Sequence, residues 1–403
     1  MGTLSSVYLA MGDARQEEVA AEAVRLLESD PPGPDLVSAY VRMAGVELVI
    51  GSPPDTIAWV DRATALAGEL GVEVPARAVG FRGYARCSLG DAAGLGEMRA
   101  ALTRAVNAGE GRDAAVLYNN LAVAVWPIEG REGVLSILRE GIEFSERHGI
   151  AEFAVALSAA SLSQLEEAGE WDRALELAGS IERDAEATGD VADLLQVRWV
   201  QTRILAARGE VARAAGFAVW LEAAARASGG VEDISAGFTA AAVAHLASGD
   251  PARAVALLVE IDRTPHIRES PSYPPYVGDM VRVAVAAGDR ELAERLARGV
   301  EPVYPYHEHA LAGARAILLE ASGDLHGAAE AYRDAAARWE RFGVVPERAH
   351  ALWGQGRCLL EMGRSSEAAE PLREARACFA NLGAEPAVAV VEELLERLSS
   401  LSA

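Results

Sequence analysis

The stretch GRCLLEMGRSSEAAEPLREA, residues 356–375, contains the pattern that decides the fold. Gly363 stands in its middle, and the residues on either side repeat at spacings of three and four, the period of an amphipathic α-helix. These residues are Leu359, Leu360, Ala368, Leu372 and Ala375. A glycine just past a helix end can adopt the left-handed backbone conformation that other residues avoid. The stretch therefore predicts two helices that fold back on each other at Gly363.

The same glycine turn recurs along the chain at an almost constant interval. The intervals are 39, 39, 40, 39, 40, 40, 39, 35 and 40 residues. The turn glycines are Gly12, Gly51, Gly90, Gly130, Gly169, Gly209, Gly249, Gly288, Gly323 and Gly363. So regular a period indicates stacked helical hairpins, each packed on its neighbours, and predicts an all-α fold.

Small residues recur on both sides of these turns. An alanine such as Ala254 or Ala368 stands five residues after the turn glycine, and a small residue such as Gly83 or Gly356 stands seven residues before it. Small side chains at both points let two helices pack with their backbones close together.

This combination of a small residue, a glycine turn, alanine and a large apolar residue resembles the tetratricopeptide repeat (TPR). The resemblance implies a right-handed superhelical solenoid of about ten TPR-like hairpins, with the first helix of each hairpin lining the concave surface. The interval of 39 or 40 residues exceeds the usual repeat of about 34. With this longer repeat, the chain resembles the sensor solenoid of bacterial maltose-type signalling ATPases. Residues 329–383, with Trp339, Phe342 and Trp353, resemble the C-terminal region of such regulators and of cyclase-linked ATPases from high-GC bacteria.

The repeat array is predicted to span residues 1–383, with an irregular segment at 264–310. Residues 384–403 are predicted to form a capping helix and tail, because one side of this segment is apolar. The apolar residues are Val388, Val391, Leu394, Leu395 and Leu398. A free amphipathic helix that binds a partner is the alternative. The first helix, Thr3–Met11, is short, so we expect that further chain precedes Met1 in the parent protein, or else that the first repeat is naturally frayed.

Composition excludes several classes of function. The net charge is −23, and all 37 basic residues are arginine. Phosphate binding needs clustered cations, so we expect no direct binding of nucleic acid and no binding to a membrane surface. No apolar run is long enough to span a bilayer, and no secretory signal is recognisable. The three cysteines form no Cys-x-x-Cys pair, which favours a reducing, cytoplasmic location.

Motifs for catalysis are missing. The sequence contains no phosphate-binding loop with Gly-Lys, no Gly-x-Ser-x-Gly and no His-Glu-x-x-His. We therefore predict a non-enzymatic protein without a cofactor. His307 and His309 offer a conceivable pair of metal ligands, but residues two apart on a helix point to different faces. We predict no metal site there.

The concave surface is the predicted binding site. By resemblance to TPR proteins, the positions ten and six residues before each turn glycine face it, with a third position one helical turn earlier. These positions give Arg77, Tyr84, Gln196, Trp199, Arg203, Arg282, His350, Trp353 and Arg357. Arginine recognises carboxylates and phosphates, tryptophan and tyrosine supply large contact areas, and arginines on the inside would form a positive strip. The alternative is that Trp199 and Trp353 belong to the core and that the arginines pair with neighbouring acids.

Two asparagines in the fourth repeat add to this set. Residues 119–122 read Asn-Asn-Leu-Ala, which resembles kinesin-light-chain-type repeats, where such asparagines bind the backbone of cargo peptides. The resemblance implies peptide-binding roles for Asn119 and Asn120. An extra residue and Pro127 separate this run from the turn at Gly130.

The irregular segment forms a secondary candidate patch. Prolines interrupt the repeat there, and the segment is rich in tyrosine and histidine, which often marks a functional face. The patch consists of Tyr273, Tyr276, Tyr304, Tyr306, His307 and His309.

The sequence thus predicts a solenoid that binds a protein segment, a peptide or a small effector. It favours the sensor and interaction region of a bacterial cytoplasmic signalling or transcription regulator. A standalone adaptor that assembles partners without effector control is the alternative, and an enzyme is a third. The sequence specifies neither the ligand nor the oligomeric state.

Overall fold

The described residues, 15–50 and 52–401 of the computed structural model, form helices joined by short turns, with no β-strand among them. The first six helices are α1 (Arg15–Glu28), α2 (Pro34–Ile50), α3 (Pro53–Leu70), α4 (Ala76–Ser88), α5 (Gly94–Ala108) and α6 (Gly111–Arg147). The turns predicted at Gly12 and Gly51 and the helix predicted at Thr3–Met11 lie outside the described residues.

The remaining helices follow the same alternation of helix and short turn. The central ones are α7 (Ala151–Glu167), α8 (Trp171–Thr188), α9 (Val191–Ala207), α10 (Val211–Ser228), α11 (Val231–Ala247) and α12 (Pro251–Arg263). The last ones are α13 (Val277–Ala286), α14 (Arg290–Ala297), α15 (Pro305–Ala321), α16 (Leu325–Phe342), α17 (Val345–Glu361), α18 (Ser365–Leu382) and α19 (Glu385–Leu401).

Helix packing confirms the predicted fold class of consecutive helical pairs. Each of α1 to α5 packs against the next helix, as does each of α15 to α18. The first helices of successive hairpins also touch, as α2 does with α4, α13 with α15, and α15 with α17. This second contact puts the first helices side by side, so that their side chains share one face.

The chain divides into two compact units. Unit 1 holds the described residues up to Ser161, together with Ile181–Leu194 and Ala227–Val231. Unit 2 holds Leu162–Ser180, Leu195–Arg226 and the residues from Glu232 onward. In unit 1, a continuous apolar core lies under α1 to α4 and includes Val41, Val60 and Ala63, each without solvent exposure.

Glycines with a positive φ follow the ends of several helices. Gly343 ends α16 with a φ of 87°, and its N–H donates to the Trp339 carbonyl oxygen at 2.9 Å. Gly130 differs, because the helix continues on both sides of it and only a kink, at φ 74° and ψ −165°, marks the turn. Pro127 lies inside the same helix, one turn before this kink.

Small residues hold the paired helices close together. A Cβ atom on Gly356 would lie 2.5 Å from the Leu372 side chain, and one on Gly83 would lie 2.7 Å from the Gly94 carbonyl oxygen. Both distances are too short for non-bonded atoms, so glycine is required at these crossings. The last helix, α19, packs on α17 and α18 and buries Val388, among other apolar residues, in this contact.

The first and last hairpins of unit 2 touch each other. Arg208, just after α9, donates from Nε to the carbonyl oxygen of Leu382 at 3.1 Å. A Cβ on Gly169 would meet Leu382, and one on Gly209 would meet Pro386. The inner faces of α9, α13, α15 and α17 therefore surround a common interior of unit 2.

Candidate binding site

A row of alternating charges runs across the interior of unit 2. Arg203 on α9 contacts Glu166 at 3.0 Å and Asp279 on α13 at 3.1 Å. Arg282, one helical turn after Asp279, pairs with it and with Glu347 on α17, the latter at 2.8 Å. Each guanidinium thus sits between two carboxylates, and its donors are satisfied by them. The row ties together helices that are far apart in the sequence.

A second charged group lies on α15 to α17. Arg357 contacts Glu320 with two parallel N–H···O bonds, of 2.5 and 2.8 Å. The Tyr332 hydroxyl donates to the same carboxylate at 2.7 Å. The guanidinium carbon of Arg357 also lies 4.9 Å from the centre of the Trp353 ring, within the range of a cation–π contact. Glu320, Tyr332, Trp353 and Arg357 therefore hold one another in fixed positions.

A pocket of about 320 Å³ opens between these two groups. Charged and aromatic side chains line part of its wall, and small residues leave the space itself open. The charged and aromatic lining residues are Arg282, Glu320, Tyr332, Trp339, Glu347, His350, Trp353 and Arg357. The small ones are Ala286, Gly313, Ala321 and Ala351, and Val285 and Ile317 complete the wall.

The pocket combines balanced charges with a neutral histidine. Arg282 and Arg357 carry two positive charges, which Glu320 and Glu347 offset. Burial and the nearby Arg282 hold the pKa of His350 well below its usual value, so its imidazole is uncharged at neutral pH. The indole nitrogen of Trp353 is buried and has no hydrogen-bond acceptor among the described residues. Such a site recognises shape and hydrogen-bonding pattern more than net charge.

Two adjacent carboxyl groups on α7 have raised pKa values. Burial raises the pKa of Glu166 to about 7 and that of Glu167 to about 8. Arg203 partly opposes the first shift, and the Tyr306 hydroxyl, which donates to Glu167 at 2.7 Å, partly opposes the second. Near neutral pH, each of these two carboxyl groups is therefore protonated in part of the molecules.

The structure brings four of the residues predicted for the concave surface together at this pocket. Arg282, His350, Trp353 and Arg357 all line it. Arg203 lies in the row of charges, whereas Gln196 is half-buried. Trp199 is buried at 7% exposure, so it packs in the core, as the alternative interpretation held.

The expected positive strip is wrong for all four predicted arginines. Arg203, Arg282 and Arg357 contact carboxylates as described, and in unit 1 Arg77 contacts Asp113 at 3.1 Å. Burying a charge without a partner is unfavourable by several kcal/mol. Each of these arginines is therefore paired with a carboxylate. Pairing with neighbouring acids, the alternative drawn from the sequence, is what the structure shows.

The other predicted residues of unit 1 stand apart from any pocket described above. Tyr84 is half-buried on α4 and packs beside the core residues Cys87 and Met98. Asn119 and Asn120 lie half-buried on α6. Their peptide-binding role stays a prediction.

The tyrosine- and histidine-rich patch is mostly interior. Tyr273 has no solvent exposure and donates to the Leu296 carbonyl oxygen at 2.8 Å. His307 is also fully buried, and its Nδ1 accepts from the Val303 N–H at 3.3 Å. The others are buried or half-buried: Tyr304, Tyr306, Tyr276 and His309. These side chains fill the space that the interrupted helices leave, rather than forming an exposed patch.

Sequence reasoning missed several residues of the pocket. Tyr332 and Trp339 lie on α16, the second helix of a hairpin, which the sequence rule did not include. Gly313 and Ile317 stand ten and six residues before Gly323, so the rule selects them. They were passed over because neither side chain is polar or aromatic. Only their distance from the turn glycine could have identified them.

No metal site and no membrane span are found in the part of the chain that the structure describes. No three His, Cys, Asp or Glu side chains there are grouped so as to hold a metal ion. None of the helices from residue 15 to 401 combines the length and apolarity needed to cross a membrane.

Comparison with known proteins returns similar structures only. Neither protein-family models nor curated sequences match this chain. Among solved structures, yeast Tom70 is 10% identical over 97% of this chain and 94% of its own, with a TM-score of 0.37. The P58(IPK) TPR domain is 14% identical over 98% of this chain and 97% of its own, with a TM-score of 0.27. The helical-hairpin fold follows from the packing described above, not from these similarities.

Proposed function

We propose that this protein is a non-enzymatic binding protein whose ligand occupies the pocket between α13, α15, α16 and α17. The observation that supports it is the meeting of Arg282, His350, Trp353 and Arg357 around a space of about 320 Å³. That volume is at the lower end of the range of small-molecule sites, about 300–1,000 Å³. An aromatic wall with a few fixed polar groups is the usual composition of such sites.

The contacts within the pocket favour binding over catalysis. Both arginines already contact carboxylates, and the Tyr332 hydroxyl already donates to Glu320. A nucleophile or general base must instead be free to reach the substrate. The fixed side chains of this pocket can position a ligand, so the arrangement is suited to binding.

We further propose that the protein acts as the sensor and interaction region of a bacterial cytoplasmic signalling or transcription regulator. A ligand in the pocket contacts three neighbouring first helices, α13, α15 and α17. It favours the angle between them that fits it best, and small changes of angle add up along a repeat array. The long repeat interval, which resembles maltose-type regulators, supports this assignment.

An adaptor that assembles protein partners without effector control is the second candidate. The observation in its favour is the pair Asn119 and Asn120, half-buried on α6 of unit 1. Each amide offers a donor and an acceptor, which matches the backbone of an extended peptide.

Ligand screening separates the two candidates. A metabolite and peptide library is screened by thermal shift, because a ligand that binds the folded state raises the melting temperature. For a sensor we expect a small-molecule hit whose shift disappears in Trp353→Ala and persists in Asn119→Ala. A peptide hit that is lost in Asn119→Ala and kept in Trp353→Ala would instead establish the adaptor and contradict the proposed site.

A further inference from the structure

Unit 2 closes on itself where its first and last hairpins meet. Arg208 donates from Nε to the Leu382 carbonyl oxygen at 3.1 Å. A Cβ on Gly169 would lie 3.4 Å from the Cβ of Val345 on α17. We call this contact the closure, and its residues are Gly169, Arg208, Gly209, Val345, Leu382 and Pro386. It lies at a different place from the pocket, and the inference drawn from it needs no ligand in the pocket.

The closure is a weak contact. Among its residues, only Leu382 has a buried side chain. Gly169 and Gly209, on the opposite side, have no side chain with which to pack. Arg208 also pairs with Asp172 at 2.8 Å, but the Asp172 side chain is 90% exposed, so this ion pair contributes little. One or two charges placed beside the closure are therefore enough to change its equilibrium.

Acidic side chains flank the closure on both sides. Glu166 and Glu167 end α7 and stand three and two residues before Gly169. Glu347 stands two residues after Val345, near the start of α17. The charge of Glu347 acts on both glutamates of α7. Negative charges on the two sides therefore repel each other across the closure.

These acids belong to a buried group that holds more carboxyl groups than guanidiniums. The guanidiniums are those of Arg203 and Arg282, each in contact with two acids, and the carboxyl groups are those of Glu166, Glu167, Asp279 and Glu347. Burial raises the pKa of Glu166 to about 7 and that of Glu167 to about 8. The two arginines hold the pKa of Asp279 below its usual value despite its burial. The charges of the group therefore balance while the two glutamates of α7 are protonated.

The other ionisable groups around these two glutamates do not offset their charge. Tyr276 and Tyr306 stay neutral, because burial raises both pKa values above the usual value of 10. His350 stays neutral above neutral pH, because burial holds its pKa well below 6.5. Ionisation of the two glutamates therefore adds two negative charges that no neighbouring group takes up.

We propose that the closure of unit 2 responds to pH: it is closed while Glu166 and Glu167 are protonated, and it opens when they ionise. The ionised glutamates repel Glu347 and gain hydration when the helices separate. Opening moves the ends of α7 and α9 away from α17, α18 and α19. Unit 2 then changes from a ring into an open array of hairpins.

The direction of the response follows from the raised pKa values. The closed state holds its protons more tightly than an open state in which both glutamates have the ordinary pKa of 4.5. The protons therefore stabilise the closure fully below pH 4.5, and this contribution is lost as the pH rises through about 7 and 8. We expect the ratio of open to closed molecules to rise about tenfold or more between about pH 6 and about pH 9.

Distances between spin labels on the full chain measure the opening. Glu176→Cys on α8 and Asn381→Cys on α18 place nitroxides at exposed positions on the two sides of the closure. Cys378→Ser removes the one native thiol that is not buried. Double electron–electron resonance should show one distance at about pH 6 and a second, longer distance at about pH 9. Asn381→Cys with Glu396→Cys is the control pair, because α18 and α19 pack together in both states.

Glutamine variants test which groups control the opening. The double variant Glu166→Gln with Glu167→Gln keeps the shape of both side chains and cannot ionise, so it should stay closed at about pH 9. Glu232→Gln on α11 is the matched control. Although Glu232 keeps accessible surface, loss of hydration inside unit 2 raises its pKa to about 7, and none of the closure contacts involves it. Its substitution should leave the response to pH in place.

A disulfide across the closure provides a second test. The separation of 3.4 Å between the Cβ positions of residues 169 and 345 is close to the range of about 3.5–4.5 Å found in disulfides. Gly169→Cys with Val345→Cys, again with Cys378→Ser, should therefore form one on oxidation. Small-angle X-ray scattering should show a radius of gyration that rises between about pH 6 and about pH 9 in the reduced form and stays constant in the oxidised form.

Three results would overturn the proposal. The first is a distance between the labels on α8 and α18 that stays the same from about pH 6 to about pH 9. The second is an equal opening in the double glutamine variant, or a response that Glu232→Gln abolishes, since other groups would then control the closure. The third is the same dependence on pH in the oxidised and reduced disulfide variant, which decides the matter even if the double glutamine variant does not fold.

Discussion

Two regions of unit 2 differ in their packing: in one the side chains fill the interior, and in the other they leave a pocket. The irregular segment, residues 264–310, breaks the repeat with prolines and carries several tyrosines. Its side chains fill the interior, as the fully buried Tyr273 shows. The pocket between α13, α15, α16 and α17 lies mainly in the regular hairpins of α15 to α17, joined by three residues of α13, and it leaves a space of about 320 Å³.

The comparison teaches that unusual residues do not by themselves indicate a site. Where helices are interrupted, large side chains are needed to restore packing, because protein interiors are close-packed. Where helices are regular, a cavity arises from residues that are too small, such as Gly313 and Ala351. The unusual amino-acid composition pointed to the irregular segment, which is filled. Position in the repeat pointed to residues of the pocket, which is open.

The largest effect is expected from opening the filled region. Tyr273→Ala removes a fully buried ring, and we expect it to lower the local free energy of unfolding by about 3–5 kcal/mol. Hydrogen exchange of the α14 amides, next to the Leu296 carbonyl that accepts from Tyr273, measures this change. The control Tyr273→Phe removes only the hydroxyl and should cost about 1 kcal/mol. Equal, small effects of both variants would show that the segment is not tightly packed.

The next effect compares two glycines of the pocket region. A Cβ on Gly354 would lie 2.4–2.6 Å from ring carbons of Tyr332, which its bond to Glu320 holds in place. Gly354→Ala should therefore lower stability by about 1–3 kcal/mol. Gly313→Ala should raise it by about 0.5–1 kcal/mol, because its methyl group fits and alanine favours the helix. Thermal melting measures both, and the same sign for both would contradict the arrangement of these helices.

The last effect concerns the dependence of stability on pH. The pKa of Glu167 rises to about 8 from the ordinary value of 4.5, so the folded state binds more protons than the unfolded state between these values. Its contribution to stability is present below pH 4.5 and is lost as the pH rises to about 8. We expect stability to fall by about 1–2 kcal/mol between pH 5 and pH 8, because partial exposure reduces the full effect.

Urea unfolding followed by tryptophan fluorescence at several pH values measures this dependence. Glu167→Gln should make the curve less steep, since glutamine does not titrate and Glu166 still does. Glu396→Gln, at an exposed position on α19, is the control and should leave the slope unchanged. An equal slope in the wild type and in Glu167→Gln would show that this carboxyl group ionises normally.

The fold could be predicted from the sequence because the same helical-hairpin pattern recurs along the chain. Among the described residues, most turn glycines follow the end of a helix, whereas Gly130 lies at a kink. Small residues near these turns lie at helix crossings, as Gly83 and Gly356 do. These features depend on neighbours in the chain, which a sequence displays directly.

The site could be predicted only in part, because it depends on contacts between distant residues. The phase of the first helices selected Arg282 and Trp353, and both line the pocket. It could not show that Glu320 and Glu347 would neutralise the arginines, since those pairs form only when separate hairpins meet. It also could not show that Trp199, at the equivalent position in another repeat, is covered by its neighbours.

The contact between Arg208 and Leu382 has a consequence for the order in which the protein folds. The two residues are 174 positions apart, and closing so long a loop has an entropic cost of a few kcal/mol. During synthesis the early hairpins can form from local contacts as they leave the ribosome. Arg282 can pair with Asp279 on its own helix at once, but its second partner, Glu347, comes near the end. The last hairpins to be translated therefore complete the interior, and a chain that stops before them lacks the second carboxylate of Arg282 and the contact of Arg208 with Leu382.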